Sequence, residues 1–491
     1  VSAVAELSPR PLAAQGGRAP APAALLAGVG ACLALAASSA ALLPTVPSYD
    51  PWSWIVWGRE VVDPHLGFAV GGGPSWKPLP VIFTTVWALF GGAAPTLWVI
   101  TARAGGLLGL LAAFWLCRRL VPGPRWAALV AGALAAAGIV LTRDWIYYWL
   151  RGTSEPILIA TSLWAVERHL AGRRGSAFVL GVATSLLRPE AWPFVLLYAA
   201  WLWLREPRLR ALVAAGLASI PFFWFVPPWV GSGQPFLAAT HAHEYNGHLG
   251  SHPFLEVVRR GVDLQPLPAL VLALCAVGLV ALRGRDRGVL TLGALAAGWW
   301  VVVVGMTLDG YPGLERFFLP AAGAACVLGG VAVARLGLLA PIGGRAGGAA
   351  LVGALGLGVA AISLPWTDAR AANLATQEQI ASHAVTRLDQ LSAAAAAVGG
   401  HHGVYPCHSS FAAVNHSVQT ALAWKLHVTL GRVGTSMRHQ GLMFVGPHDS
   451  IDGGEPRIDP RLTERRLIAR VGVWRVYRMT SPGSDTRCVG G

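Results

Sequence analysis

Eleven apolar runs, parted by short loops that carry arginine, constrain this chain more than any other feature. They fall near residues 22–44, 96–117, 125–142, 150–167, 176–188, 190–204, 209–229, 266–283, 288–307, 316–336 and 347–364. A bilayer core takes roughly 20 apolar residues of helix, fewer where a short helix packs inside protein. The composition agrees: 54% of the 491 residues are hydrophobic and 13% charged, about half the charge of a soluble domain. Between 176–188 and 190–204 the stretch "LLRPEAWP" interrupts a continuous apolar run with a charge pair and two prolines. The fold expected is a polytopic α-helical membrane protein with about eleven transmembrane helices.

The net charge of +14 does not point to nucleic acid. Its basic residues come in small groups between apolar runs, which is how cytoplasmic loops look. With the N-terminus inside, those loops hold Arg118, Arg119 and Arg125; Arg168, Arg173 and Arg174; Arg205, Arg208 and Arg210; Arg283, Arg285 and Arg287; then Arg335 and Arg345. Counting "LPVIFTTVWALFG", residues 79–91, as a further span would reverse every later loop. As a helix it measures only about 20 Å against a core of about 30 Å. It is expected to lie in or dip into the outer interface.

Charges on the other side come as near neighbours of opposite sign: Arg59 with Glu60, Arg143 with Asp144, Arg151 with Glu155, Arg188 with Glu190, and Glu315 with Arg316. A single pair reads as a salt bridge anchoring a helix end. Five on one side, at helix ends, predict a polar cavity facing the extracytoplasmic leaflet.

Three regions follow. Residues 1–21 are Ala/Pro-rich and expected to be a disordered cytoplasmic N-terminus. Residues 22–365 form the transmembrane domain, with an outer loop at 45–95. Residues 366–491 change character, and an extracytoplasmic α/β domain is expected there. In it "GVYPCHSSFAAVNHSVQTALAWKLH" reads as strand, turn and helix, and "LIARVGVWRVYRM" alternates like a strand. Of six cysteines, Cys32, Cys117, Cys275 and Cys326 lie in or beside apolar runs and are expected to be buried thiols. Cys407 and Cys488 stand in the polar region, where a disulfide between them is expected if that region is extracytoplasmic.

Asp50 opens "DPWSWIVWGREVV", expected to be an interfacial helix with its tryptophans at headgroup level. Before Pro51, Asp50 suits an N-cap; it also suits a general base at the edge of the bilayer. In "GGGPSWKPLP" Lys77 stands outside, against the trend, either to bind a lipid phosphate or to snorkel to bulk headgroups. The loop "THAHEYNGHLGSH" offers His241, His243, Glu244, His248 and His252. A His-x-His pair with a glutamate suits a divalent metal such as zinc, although such a loop also suits sugar binding.

In order along the chain, Lys77-Pro78-Leu79, Phe90-Gly91, Arg103 and Arg118-Arg119 resemble the GT-C glycosyltransferases, more narrowly their protein-mannosyltransferase and aminoarabinose-transferase branch. "YYWLRGTSEPILIATSLW" resembles that branch's outer Arg-plus-acid segment, through Arg151 and Glu155, and "SLLRPEAWP" a later basic-Pro turn, through Arg188. The likeness covers residues 22–205 and leaves the C-terminal domain without a counterpart. Leu79 stands where the family often has a second proline, and the acidic residue usual beside the lysine is missing.

The resemblance implies an inverting transferase that moves a sugar from a polyprenyl-phosphate lipid to a glycan, lipid or protein acceptor on the outer face of the plasma membrane. Asp50 would be the base. Lys77, Arg151, Arg188 and Arg316 would hold the donor phosphate, with Arg59, Asp144, Glu155, Glu190, His243 and Glu244 orienting them or meeting the acceptor. No cofactor is required beyond an optional divalent metal at His241 and His243. The rival readings are a transporter or lipid flippase, which would place charges near the midplane and repeat one half in the other, and a scaffold for the soluble domain.

Overall fold

The computed structural model describes residues 22–244, 249–283, 286–339, 344–447, 454–483 and 487–490. The expected disordered segment 1–21 lies outside the described residues, as do His248 and Arg285 and the side chains of Arg283 and Arg345.

Each apolar run forms a helix. The first is α1 (Pro22–Leu42), followed by two helices that lie between apolar runs, α2 (Tyr49–Val62) and α3 (Pro78–Ala88). Next come α4 (Ala94–Leu120), α5 (Arg125–Val140), the short α6 (Trp145–Leu150), α7 (Glu155–Leu170), α8 (Arg174–Ser185), α9 (Trp192–Arg205) and α10 (Arg210–Ser232). Two further helices between runs, α11 (Leu237–Glu244) and α12 (Pro253–Asp263), precede α13 (Leu267–Arg283), α14 (Arg287–Leu308), α15 (Leu319–Leu339) and α16 (Gly344–Ile362). Among the described residues five helices are long and apolar enough to cross a membrane, or up to seven if each of two bent pairs is one span. The rest of the eleven runs form shorter helices. The chain is a multi-pass membrane protein.

α15 is the central post of this bundle. Most of its residues are buried, and it packs on α4, α5, α7, α13, α14 and α16. Small residues permit that: a Cβ on Gly330 would stand 2.2 Å from the carbonyl oxygen of Ala131 on α5. The arginine-bearing turns gather at one end of the bundle. There Arg335 reaches the carbonyl of Leu120 and the carboxylate of Asp286, and Gly288 faces Leu120 and Leu170. In the same region Arg119 and Arg168 share the buried Glu167.

The C-terminal part begins with a 34-residue helix, α17 (Leu364–Ala397), which strand-like patterning further on gives no reason to expect. After α18 (Gly400–Val404) come β1 (Phe411–Val414), α19 (His416–Lys425), β2 (Val433–Gly434), β3 (Ser436–Met437), β4 (Gly441–Val445), β5 (Arg457–Ile458), β6 (Glu464–Val471) and β7 (Trp474–Thr480). The main sheet has the order β2-β1-β4-β7-β6: β1 is parallel to β2 and β4, while β7 is antiparallel to both its neighbours. "LIARVGVWRVYRM" is thus a hairpin, not one strand. Gly472, at φ 55°, supplies the left-handed conformation that its two-residue turn needs. Cys407 and Cys488 are joined in a disulfide.

Three sequence expectations are corrected. Cys275 is exposed, because it lies on the outer side of α13 while Ala273 and Ala276 pack inward; an apolar run does not say which face meets protein. The tryptophans of α2 do not sit among headgroups: Trp52, Trp54 and Trp57 are 6%, 1% and 1% exposed, against Trp424, Trp98 and Trp76. Arg59 and Glu60 do not face each other in a cavity but reach into the C-terminal domain, described below.

Gly330→Ala is expected to force α5 and α15 apart and destabilise the bundle by roughly 1–3 kcal/mol. Gly353→Ala, where a Cβ meets nothing within 4 Å, should leave stability unchanged or slightly raised. Thermal unfolding of the two purified variants, followed by tryptophan fluorescence, distinguishes them.

Candidate active site

At the end of the bundle opposite the arginine-bearing turns, charged side chains from five separate stretches converge. Glu155, at the start of α7, is their hub. Its Oε1 accepts from Arg188 Nη2 at 2.7 Å and lies 3.9 Å from both Lys77 Nζ and Arg316 Nη1. Arg316 Nη1 in turn lies 3.6 Å from Asp50 Oδ2. With the buried Glu190 4.0 Å from Arg188 as well, three basic side chains meet three carboxylates, of which only Glu155 approaches all three.

Local sequence explains each position. Pro156 at the start of α7 leaves Glu155 at a helix N-terminus, where a carboxylate is favoured. The Arg188-Pro189 step breaks the chain between α8 and α9, freeing Arg188 to turn inward. Lys77 precedes the Pro78-Leu79-Pro80 start of α3 and donates to Ser154 Oγ at 3.0 Å. Its ammonium stands over the Trp54 ring, while Arg188 and Arg316 lie over the Phe317 ring, 4.5 and 6.0 Å from its centre. Tryptophan and phenylalanine thus line the cations without neutralising them.

The cluster is graded in depth. Side chains of Glu155, Arg188 and Lys77 are 1%, 7% and 8% exposed, whereas Asp50 and Arg316 are 24% and 31% exposed. Burial, with Arg188 beside it, pulls Lys77 down to about 7, although Glu155 and Asp50 act the other way. Among the described residues Glu155 Oε2, Glu190 Oε2, Arg188 Nε and Arg316 Nε are buried without a hydrogen-bond partner. Such groups are costly in isolation and suit a polar ligand. An apolar cleft of about 220 Å³ starts beside this floor at Ala191 and Phe194 and runs between α7, α8, α9, α14 and α15 to His169 and Tyr198.

Asp50 is not a cap. α2 begins at Tyr49 after Ser48, so Asp50 sits one residue inside, with its carboxylate toward Arg316. Lys77 is not a snorkelling lysine, since its head is buried. Glu155, which spacing pairs with Arg151, reaches the more distant Lys77, Arg188 and Arg316. Arg151 donates to the carbonyl of Pro47, which leads into Asp50. Glu190 is buried 4.0 Å from Arg188. Asp144 stays apart, half exposed at 3.9 Å from Arg143, which also reaches Glu315.

Among the described residues, which leave out His248, no group of three or more His, Cys, Asp or Glu side chains is placed to hold a metal ion. His243 bonds the Ala239 carbonyl and packs on Tyr311, His241 faces the Pro74 carbonyl, and Glu244 is exposed. Sequence spacing missed Ser154 and Phe317 altogether, because neither residue type signals a site without its neighbours in space.

Solved structures share this fold. ArnT from Cupriavidus metallidurans bound to undecaprenyl phosphate matches with a TM-score of 0.55 at 16% identity, over 95% of this chain and 99% of that one. The same enzyme in the apo state matches with a TM-score of 0.55 at 16% identity, over 92% and 97%. No family model matches the sequence, and no curated protein does. The chain therefore has the GT-C-like fold that its motifs imply, and the likeness extends through the C-terminal domain.

Glu155→Gln leaves Lys77, Arg188 and Arg316 around a neutral amide. Removing one partner of a buried charge set costs roughly 3–5 kcal/mol, so its unfolding temperature should fall well below that of Asp50→Asn, which alters only the half-exposed rim. Equal unfolding temperatures for the two variants would contradict the hub.

Proposed function

We propose that the chain is an inverting glycosyltransferase that moves a sugar from a polyprenyl-phosphate donor to an acceptor on the extracytoplasmic face of the plasma membrane. The observation that carries this reading is the convergence of Lys77, Arg188 and Arg316 on one carboxylate, with a second carboxylate, Asp50, at the rim. Undecaprenyl phosphate bound to a protein of the same fold supports a lipid phosphate as the ligand here. The apolar cleft beside Arg188 suits a polyprenyl tail.

In this mechanism the donor phosphate lies over Lys77, Arg188 and Arg316, whose charges grow in value as the phosphate departs and gains negative charge. Glu155 fixes the three cations and prevents their mutual repulsion. Asp50 accepts the proton of the acceptor's hydroxyl or amine as that oxygen or nitrogen attacks the anomeric carbon from the side opposite the phosphate. The bond to the lipid phosphate breaks as the new glycosidic bond forms, so the configuration inverts. Arg316, 3.6 Å from Asp50, links base to leaving group. The extracytoplasmic position of residues 366–491 belongs to this reading, with the arginine-bearing turns on the cytoplasmic side.

Two measurements test it. Undecaprenyl-phosphate-linked hexoses and pentoses, offered with cell-envelope acceptors, should yield a transfer product. Asp50→Asn should lower its rate by roughly 100-fold or more while undecaprenyl phosphate binding survives; transfer at the wild-type rate would place the base elsewhere. The second is a pH series of undecaprenyl phosphate binding. Above about 7 the unliganded Lys77 has lost its proton, and a bound phosphate restores it. The complex then holds more protons than the free protein, so affinity falls as pH rises above about 7, by up to about tenfold per unit. Lys77→Met should bind more weakly and lose this slope.

A further inference from the structure

We infer that α19 of the C-terminal domain is a splint that holds Asp50 in its working position, with Thr420 and Gln419 as positioning residues. This rests on the reading of Asp50 as the base, and it assigns the soluble domain a part in the reaction at the membrane surface.

α19 lies along α2 and grips it at both ends. At the start of α2, Tyr49 immediately precedes Asp50. Its carbonyl accepts from Thr420 Oγ1 at 3.1 Å, its hydroxyl donates to Gln419 Oε1 at 3.1 Å, and its ring packs on His416 at 4.2 Å. Gln419 is itself tied down, since its amide donates to the Val433 carbonyl on β2 at 2.6 Å. Both Gln419 and Thr420 are buried. Midway, Trp52 meets Trp424.

At the far end of α2 the Arg59 guanidinium donates to the carbonyls of Ala423, Trp424 and Val428 at 3.3, 3.0 and 2.8 Å and lies over the Trp424 ring. Two of these carbonyls belong to the last turn of α19, where a helix leaves carbonyls without intrahelical partners, so a cation there binds strongly. Glu60 accepts from the Leu430 and Ala69 amides, and Asp63 pairs with His427 at 2.9 Å.

The opposite face of α2 is fixed against the membrane helices. Thr84 on α3 donates to the Trp54 carbonyl at 2.6 Å, and at Gly58 the α3 backbone comes so close that a Cβ would meet it at 2.5 Å. α2 can therefore neither slide nor turn while α19 is docked. Arg316 comes from the turn before α15, so the 3.6 Å between it and Asp50 depends on where the C-terminal domain holds Tyr49. A displacement of about 1 Å at a reacting group can cost two orders of magnitude in rate. The splint thus acts on turnover and not on the donor phosphate, whose partners Lys77 and Arg188 lie on other elements.

The test uses the full chain, the undecaprenyl-phosphate-linked sugar found active and its acceptor. Thr420→Val removes the hydroxyl and keeps the branched volume; Thr420→Ser restores the hydroxyl; Tyr49→Phe removes only the bond to Gln419. Thr420→Val should lower kcat by about tenfold with an unchanged unfolding temperature and unchanged affinity for undecaprenyl phosphate. Thr420→Ser should recover most of the rate, and Tyr49→Phe should fall in the same direction. Wild-type kcat in both Thr420→Val and Tyr49→Phe would overturn the splint. So would a loss that Thr420→Ser does not recover, or one that follows a lowered unfolding temperature, since either marks packing alone. If Asp50→Asn is inactive while Thr420→Val is fully active, only the splint fails; if Asp50→Asn is active, the base assignment itself fails.

Discussion

The charged end of the helix bundle depends on the Glu155 carboxylate. Three cations brought together at the edge of a membrane domain repel one another strongly where water is scarce. A single buried anion among Lys77, Arg188 and Arg316 turns that repulsion into a stable arrangement. Because one carboxylate cannot satisfy every donor of three basic side chains, the set retains orphaned donors at Arg188 and Arg316. The same interaction that lets the helix ends meet therefore leaves them ready for an anion. Stability and ligand readiness arise from one group, and the second carboxylate, Asp50, sits at its rim.

Helix packing supplies the means. Glu155 heads α7, Arg188 stands at the break between α8 and α9, Lys77 precedes α3, and Arg316 precedes α15. Each is at a helix terminus, where the chain can aim a long side chain inward without interrupting an apolar face. The glycine contacts along α15 bring those termini within reach. α2 forms a second layer above them, held between α3 below and α19 above, so Asp50 and the cations are carried by elements with different anchors. The C-terminal domain is thus part of the framework around Asp50, and Arg59 and Glu60 serve it by docking.

Much of this was legible in the sequence because bilayer physics is strict. Apolar runs must be helices there, and basic loops must collect on one side, so the helices and the two ends of the bundle follow from hydropathy and arginine alone. Opposite charges at helix ends pointed to Glu155, Arg188 and Arg316, the acid before Pro51 to Asp50, and a lysine against the charge trend to Lys77, and these five do come together. What spacing could not supply was partner choice. Arg151 and Glu155 are one helical turn apart, yet Glu155 serves residues up to 161 positions away, since tertiary packing and not local geometry decides who meets a buried carboxylate. Arg59 next to Glu60 looked like the other pairs, but both side chains are spent on α19 and the loop after it. The buried tryptophans of α2 failed as interface markers for the same reason: nothing local announces that Trp98 of α4, Trp76 before α3 and Trp424 of the C-terminal domain cover them. α17 was missed because its polar, alanine-rich face lacks the periodicity of a buried helix.

The central claim is that this cluster binds a lipid phosphate for transfer chemistry. It is tested most directly by a cryo-electron microscopy structure of the full chain in nanodiscs with undecaprenyl phosphate. The account predicts phosphate density within hydrogen-bonding distance of Lys77, Arg188 and Arg316, with the tail running into the cleft at Ala191 and Phe194 and Asp50 facing the phosphate across open space. Lipid density elsewhere, with the cations around Glu155 contacting no phosphate, would contradict it.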